Sequence, residues 1–450
     1  MTQRDEQDLR KRLLNKIAYH QDQLLASREK QDTQNLLTSL SQLANSYEKL
    51  FDYGQALDYH QKLLRLSKQI NADDWHELTL YNIANCYRLL SQYHESIEYF
   101  IQLVEFARKT GNYVLQIAGI WGQGTNYQNL GEYQKAIECF QNQLAISCEM
   151  EEKSWEKSAY GSSANVYQFL GKYQKALDYE QKALLIALSM KDMKGEGDSF
   201  ANLGGIYLQL SQWEKTINFC QQSLTIAQKI EDKEMQMISL TTLGQAYKAV
   251  EQYQKSIIYL KTAFKISCEM GEKRVRTAIL QGLSDVCIQT NKLEQAIEYN
   301  MESLNLSRQI GNRFGEAAAL SRIATTYQQL GNTNKALGFY KQCLGILQEI
   351  GAKSSQQQML YNIGGTYYRE KQYLSAIEFF RRALLLAEDM KNLTEEANTA
   401  LAIGATFQKL HRHQEAVFYY RQAYNIYMTL GDDIQAQKTL RTISKLGAQP

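Results

Sequence analysis

The chain has 450 residues, 44% of them apolar and 22% charged, with a formal net charge of only +2. The near balance of 50 basic and 48 acidic side chains excludes the strong positive field with which proteins attract nucleic acids or anionic membranes. The single proline is Pro450, the last residue. Because a proline inside a helix costs roughly 3 kcal/mol, its near absence predicts a chain that is helical throughout.

The apolar segments and the cysteines indicate the compartment. No apolar run approaches the roughly 18 residues that a membrane-spanning helix requires, and the polar N-terminus does not form a signal peptide. The seven cysteines include no Cys-x-x-Cys pair, so we expect them to be reduced and mostly buried, without disulfides or a metal site. The sequence therefore predicts a cytoplasmic protein without membrane insertion and without a nucleic-acid partner.

The first predicted element is a lone helix over residues 12–30, in an N-terminal half-repeat segment over residues 1–31. Tyr19 and Leu24 lie 40 residues before Tyr59 and Leu64. This helix therefore has the pattern of the second helix in each of the repeats that follow.

Ten repeats of 40 residues follow, over residues 32–432. One position in each repeat is aromatic, apart from a single cysteine: Tyr47, Tyr87, Tyr127, Tyr167, Tyr207, Tyr247, Cys287, Tyr327, Tyr367 and Phe407. The residue three positions earlier is always small, which lets helix axes approach closely. Apolar residues recur at spacings of three and four, which predicts two amphipathic helices per repeat, near 35–50 and 53–70 in the first.

Glycine often occurs where a predicted helix ends, as at Gly131 between the two helices of a repeat and at Gly111 after the second helix. A hairpin cannot cover its own apolar face, so we expect ten stacked hairpins to form one continuous core. A lone last helix is predicted over 433–447, in a capping segment over 433–450. This gives twenty-two helices, and we expect the chain to be a complete unit.

The string Asn202-Leu203-Gly204-Gly205-Ile206-Tyr207 resembles the tetratricopeptide repeat (TPR) signature, Trp-x-x-Leu-Gly-x-x-Tyr followed by Ala, an aromatic residue and Ala. The resemblance extends from about residue 12 to 447. It implies an all-α, right-handed α-α superhelix (a TPR solenoid) of ten helical hairpins plus terminal half-repeat helices. The repeat is longer than the family's usual one and lacks its proline. In this form it is similar to LGN/Pins-type arrays and to stand-alone cyanobacterial and other bacterial TPR proteins.

The resemblance implies that the first helices line a concave groove in which a partner segment lies. The residues predicted to face this groove are Asn45, Lys49, Tyr81, Asn85, Arg88, Trp121, Gln128, Asn165 and Gln168 in the first half, with Lys248 and Arg322 in the second. Asparagine can donate and accept hydrogen bonds to a peptide backbone, and aromatic side chains anchor interfaces.

Two alternatives to this groove are left open by the sequence. The asparagines could instead satisfy neighbouring helix backbones, and Trp121 could fill a wide gap between helices. The excess of basic residues in the predicted groove favours an acidic partner, but a solvated charge pattern without function fits equally.

The sequence contains no recognised catalytic motif. Gly122-Gln123-Gly124 lacks the third glycine of a dinucleotide-binding loop, and His94-Glu95 lacks the second histidine of a zinc protease motif. The pair His411 and His413 falls in a predicted turn. We therefore expect no enzymatic activity, no cofactor and no metal.

The predicted function is a non-enzymatic protein–protein interaction scaffold or adaptor that binds a peptide or helical segment of a partner protein in the groove. Self-association stays open. The alternative is a ligand-responsive regulator, a peptide or small-molecule sensor in which binding changes the superhelical pitch. Its hinge would lie in the repeat around residues 281–300, where Cys287 and Leu293 replace aromatic residues and packing is expected to be softer.

Overall fold

The computed structural model describes the backbone of residues 3–447 and the side chains of residues 10–447. Residues 1–2 and 448–450, including Pro450, lie outside the described range. Within that range the fold is all-α, as predicted. The twenty-two helices are α1 Gln3–Glu29, α2 Thr33–Lys49, α3 Tyr53–Gln69, α4 Asp73–Leu89, α5 Tyr93–Thr110, α6 Tyr113–Asn129, α7 Tyr133–Glu149, α8 Lys153–Phe169, α9 Tyr173–Met190, α10 Met193–Gln209, α11 Trp213–Lys229, α12 Lys233–Ala249, α13 Tyr253–Met270, α14 Lys273–Gln289, α15 Leu293–Gln309, α16 Arg313–Gln329, α17 Thr333–Glu349, α18 Lys353–Arg369, α19 Tyr373–Asp389, α20 Leu393–Lys409, α21 His413–Leu430 and α22 Asp433–Lys445.

The chain divides into two compact units, Met1–Ile230 and Glu231–Pro450. In the first unit each helix from α1 to α10 packs against the next helix in sequence. In the second unit the same pairing runs from α12 to α22. The first helices of successive repeats also contact each other, α4 with α6 and α6 with α8 in the first unit, and α12 with α14 and α14 with α16 in the second. Each unit is thus a stack of helical hairpins.

The column of small residues marks where the two helices of a hairpin approach most closely. A Cβ atom placed on Gly124 would lie 2.6 Å from a ring carbon of Phe140, and one placed on Gly244 would lie 2.5 Å from Cγ of Leu260. Both distances are far shorter than a normal contact between carbon atoms. The side chain of the second helix therefore occupies the space that the small residue leaves, which explains why the column tolerates only small residues.

The turn between two helices of a hairpin needs one residue in the left-handed conformation, and glycine is used only at some of these turns. Gly131 (φ 77°) and Phe51 (φ 61°) occupy equivalent positions 80 residues apart. In both turns the next amide closes the helix end, Glu132 N–H to Tyr127 O at 2.9 Å and Asp52 N–H to Tyr47 O at 3.0 Å. The turn geometry is therefore set by the hairpin, although a residue with a side chain pays about 1–2 kcal/mol to adopt it.

The helix bounds agree with the predictions except at the two ends. In the first repeat α2 and α3 lie within two residues of the predicted helices. The first helix begins at Gln3, nine residues before the predicted start. The prediction missed residues 3–11 because they are mostly polar and show no regular spacing of apolar residues. The last helix ends at Lys445 and residues 446–447 form a turn, so this helix is two residues shorter than predicted.

All seven cysteines are free thiols. Cys86, Cys220, Cys287 and Cys343 are buried and Cys139 is partly buried, whereas Cys148 and Cys268 are exposed. The two exposed cysteines lie in the last turns of α7 and α13. Among residues 3–447, no helix combines the length and the apolar character needed to cross a bilayer.

Candidate functional site

Stacked aromatic pairs fix the two helices of most hairpins relative to each other. The aromatic residue of the first helix stacks on one that lies twelve residues later, on the second helix. The ring centroids are 5.5 Å apart for Tyr47 and Tyr59, and 5.4 Å apart for Tyr87 and Tyr99. In the repeat around residue 287, Cys287 replaces the aromatic residue of the first helix, so Tyr299 of the second helix has no ring to stack on at that position. Arg88, one of the residues predicted to face the groove, directly follows Tyr87 of such a pair.

The predicted groove residues of the first unit lie on α2, α4, α6 and α8, and the last three of these helices contact one another in succession. We call the partly or fully solvent-accessible surface formed by these side chains the first-helix face. Lys49 and Asn165 are exposed, and the others are partly buried: Asn45, Tyr81, Asn85, Arg88, Trp121, Gln128 and Gln168. The structure therefore places all nine at the surface, none in the buried core.

The asparagine column of this face divides into two groups. The Asn85 side-chain amide donates to the carbonyl of Tyr81 at 3.1 Å, and its oxygen accepts from Arg88 Nε at 3.3 Å and Nη2 at 3.2 Å. Asn85 is thus satisfied within its own helix α4, and not by the backbone of a neighbouring helix. Among the described residues, the side chains of Asn45 and Asn165 form no such hydrogen bond, so their amides are left for water or a ligand.

The two large aromatic residues of the face, Tyr81 and Trp121, both pack against core residues and are partly accessible to solvent. Trp121 packs against the buried cluster that contains Ile137 and Phe140. Tyr81 contacts the ring of Phe100 edge-on, with the centroids 6.2 Å apart. Each keeps part of its ring accessible, so Trp121 fills a gap between helices and also presents flat apolar surface.

In the second unit, the two predicted basic residues share one carboxylate that the sequence reasoning did not assign to them. Lys248 Nζ lies 2.8 Å from Oδ2 of Asp285, and Arg322 Nη1 contacts Oδ1 of the same residue. These side chains come from α12, α14 and α16, so one acidic residue bridges three first helices. The local net charge is therefore +1 instead of +2. Lys248 and Arg322 each lie 37 residues from Asp285 in the sequence. This spacing, close to the repeat length, could have predicted the contact.

Two depressions of about 480 Å³ each open on the second unit. The first lies among the N-terminal parts of α16, α18 and α20, where Phe314, Ser321 and Gln358 line it. The second includes Lys248, Asp285 and Ile288. The first was not predicted, because none of its lining residues is among those predicted to face the groove.

A buried carboxyl group lies in the first unit on α9. Glu180 is only 1% exposed, and within the described structure its Oε2 atom has no hydrogen-bond partner. Burial raises the pKa of Glu180 to about 7, although hydrogen bonds from Ser199 and Asn202 oppose the shift. The folded chain therefore keeps a proton on this group at a higher pH than an exposed glutamate does. Its position corresponds to Phe140 one repeat earlier, so sequence periodicity alone would have assigned it to the core.

Three residues of metal-binding types converge on α2, α3 and α4. His60 Nε2 lies 2.9 Å from Glu48 Oε1, and Cys86 Sγ lies 3.4 Å from the same oxygen. One donor atom from each residue lies within 4.8 Å of the other two. Burial, and secondly the Glu48 carboxylate, raise the pKa of the Cys86 thiol. Sequence reasoning missed this group because its members share no short motif.

Comparisons with known proteins address the fold. A family model described as Tetratricopeptide repeat matches residues 35–109, 113–189, 198–269, 276–349 and 355–429, which is more than half of the chain. No curated protein matches the sequence.

The solved structures that resemble the chain do so at low sequence identity. A signal transduction ATPase with numerous domains and a tetratricopeptide repeat sensor, from Pyrococcus horikoshii, is similar at 15% identity and a TM-score of 0.57, over 76% of this chain and 55% of that one. Aspartyl phosphate phosphatase F from Bacillus subtilis is similar at 16% identity and a TM-score of 0.49, over 76% of this chain and 91% of that one. At these identities the likeness concerns the fold alone.

Proposed function

Because the chain belongs to the tetratricopeptide repeat family, we propose that it is a non-enzymatic scaffold or adaptor that binds a peptide or helical segment of a partner protein along the first helices. The observation that carries the proposal is the composition of the first-helix face. Asn45 and Asn165 there have no hydrogen-bond partner among the described residues, and Trp121 on α6 presents apolar surface. A peptide backbone offers alternating donors and acceptors, which amide side chains match.

The charges of the face support an acidic partner segment. Arg88 is held by Asn85, which leaves its positive charge uncompensated, and Lys49 is exposed on α2. In the second unit, separately from this face, Lys248 and Arg322 together keep one excess positive charge after pairing with Asp285. Complementary charge of this kind speeds association and selects the partner more than it adds affinity.

The thiols support a role without covalent catalysis. Burial raises the pKa of Cys220 to about 12 and the pKa values of Cys139 and Cys343 to about 11. A cysteine nucleophile needs a lowered pKa, so these thiols have the environment of core residues. Free thiols on a chain of this kind also favour the cytoplasm as its location.

The proposal is tested with peptides selected from a random library on the full-length protein, followed by measurement of Kd by fluorescence anisotropy. We expect the triple variant Asn45→Ala, Trp121→Ala, Asn165→Ala to weaken binding at least about tenfold, because truncating interface anchors typically costs 1–2 kcal/mol or more. The matched control replaces exposed residues of two second helices, Gln141→Ala and Gln181→Ala, and should bind as the wild type does. An unchanged Kd in the triple variant, with helicity preserved, would refute the assignment of this face.

A further inference from the structure

We propose that Glu48, His60 and Cys86 form a binding site for one divalent transition-metal ion with the preferences of Zn²⁺. The site does not depend on the proposed partner-binding function. It is formed by one side chain each from α2, α3 and α4, within the first unit. Glu48 Oε1 is 2.9 Å from His60 Nε2 and 3.4 Å from Cys86 Sγ.

The spacing of the donor atoms suits a single ion. Zinc binds thiolate sulfur at about 2.3 Å and imidazole nitrogen at about 2.0 Å in tetrahedral sites, so two ligand atoms of one ion lie roughly 3–4 Å apart. In the structure all three donor atoms fall within 4.8 Å of one another. Side-chain adjustments of about an ångström therefore bring them to bonding distance, without movement of the helices.

The charges and donor types select the class of metal. A divalent ion held by one thiolate, one carboxylate and one neutral imidazole forms a group with no net charge, which can be buried at low cost. Sulfur and nitrogen donors favour zinc and related transition metals, whereas Mg²⁺ and Ca²⁺ require oxygen ligands. The buried Cys86 thiol releases its proton when the metal binds, as a metal-bound thiol does.

The site has a buried side and an open side. His60 is fully buried and Cys86 is 1% exposed, whereas the side chain of Glu48 is 32% exposed. Metal can therefore reach the donors past Glu48. Three protein ligands leave a fourth coordination position on this open side for water or an added ligand.

A second repeat shows that the backbone brings these three positions together. Gln328, Tyr340 and Thr366 have the same spacings of 12 and 26 residues as the proposed ligands. There Gln328 Nε2 donates to Thr366 Oγ1 at 2.6 Å, and the Tyr340 hydroxyl donates to Gln328 Oε1 at 3.3 Å. The convergence therefore follows from the repeat geometry, and the first repeat differs by having three metal-binding side chains at these positions.

Without metal, the first repeat would hold a hydrogen-bonded trio of the same kind. The His60 N–H and the Cys86 S–H would then both donate to Glu48 Oε1, while His60 Nδ1 is buried without a partner among the described residues. When the metal binds, the Cys86 thiol loses its proton to solvent and the His60 proton moves from Nε2 to Nδ1. The thiolate, the carboxylate and the neutral imidazole then all bind one cation.

The test is titration of the reduced, full-length protein with Co²⁺, whose thiolate complexes have a charge-transfer absorption band. We expect the band to saturate at one Co²⁺ per chain and to disappear when Zn²⁺ is added. Cys86→Ser should abolish it, and Glu48→Gln should weaken Co²⁺ binding at least about tenfold, the loss that even a supporting residue of a metal site can cause. Cys220→Ser, which changes another buried cysteine of the first unit, should leave the band intact.

Two outcomes would overturn the proposal. One is the absence of a thiolate band at stoichiometric Co²⁺. The other is a band that persists in Cys86→Ser, which would assign binding to the exposed Cys148 or Cys268. Circular dichroism of both site variants checks that the helices are retained, so a lost band reports the ligands and not the fold.

Discussion

The buried carboxyl of Glu180 makes the stability of the first unit depend on pH, and Glu180→Gln should remove that dependence. The side chain is 1% exposed, and burial raises its pKa from 4.5 to about 7. The folded chain therefore holds a proton on this group at pH values where the unfolded chain has released it. Gln keeps the size and the polar atoms of the side chain without ionising.

The sign of the effect follows from proton linkage. Between pH 4.5 and about 7, the folded state binds more protons at this group than the unfolded state, so stability falls as pH rises through this range. The penalty is absent below pH 4.5 and complete above about 7. At roughly 1.4 kcal/mol for each pKa unit, the full penalty is about 3 kcal/mol. We therefore expect Glu180→Gln to be more stable than the wild type by about 1–3 kcal/mol at pH 8, since local relaxation lowers the cost, and nearly equal to it at pH 4.5.

The assay is urea unfolding of the full-length wild type and variant at pH 4.5 and pH 8, with hydrogen exchange of α9 and α10. Hydrogen exchange is included because repeat arrays can open locally. Glu98→Gln is the control, since Glu98 is exposed on α5, and it should follow the wild type at both pH values. A Glu180→Gln variant that is no more stable than the wild type at pH 8 would refute the reasoning.

Three further substitutions, the first with a control variant, test the packing, the turn geometry and the charges. Gly124→Ala should cost about 1–3 kcal/mol of unfolding free energy in urea, because its Cβ would lie 2.6 Å from a packed ring; Gly161→Ala, where nothing lies within 4 Å, should be neutral or stabilising by up to about 1 kcal/mol. Equal effects of both would argue against close packing. Phe51→Gly should raise the unfolding free energy by about 1 kcal/mol by relieving the left-handed backbone, and a loss of stability would contradict this. Asp285→Asn should cost about 1 kcal/mol at low salt and less at 1 M salt, and a loss that salt does not change would rule out an electrostatic cause.

The fold was predictable because its packing repeats with the sequence period. In several repeats the small residue of the first helix meets a large residue of the second, as Gly124 meets Phe140 and Gly244 meets Leu260, so the columns of the sequence correspond to contacts. The start of α1 at Gln3 was not predictable in this way. Its first turns carry no apolar period, and only such a period distinguishes a helix from a polar tail in a sequence.

The site was predictable only as a surface. Periodicity identified which positions lie on the first-helix face, but it could not show that Arg88 holds the Asn85 amide, or that Asp285 lies between two cations. These contacts depend on side-chain lengths and on the offset between neighbouring helices. Glu48, His60 and Cys86 lie on three different helices. Their proximity could be predicted from the sequence only if the contacts between the equivalent positions of another repeat were already known.

The central claim, that a partner segment lies on the first-helix face, is tested most directly by site-specific crosslinking. A photoreactive amino acid is placed at Asn165, on the face, or at Gln181, which is exposed on the neighbouring second helix. With a library-selected peptide bound, irradiation should crosslink the peptide at position 165 and leave position 181 unreacted. Crosslinking at position 181 without any at position 165 would contradict the account.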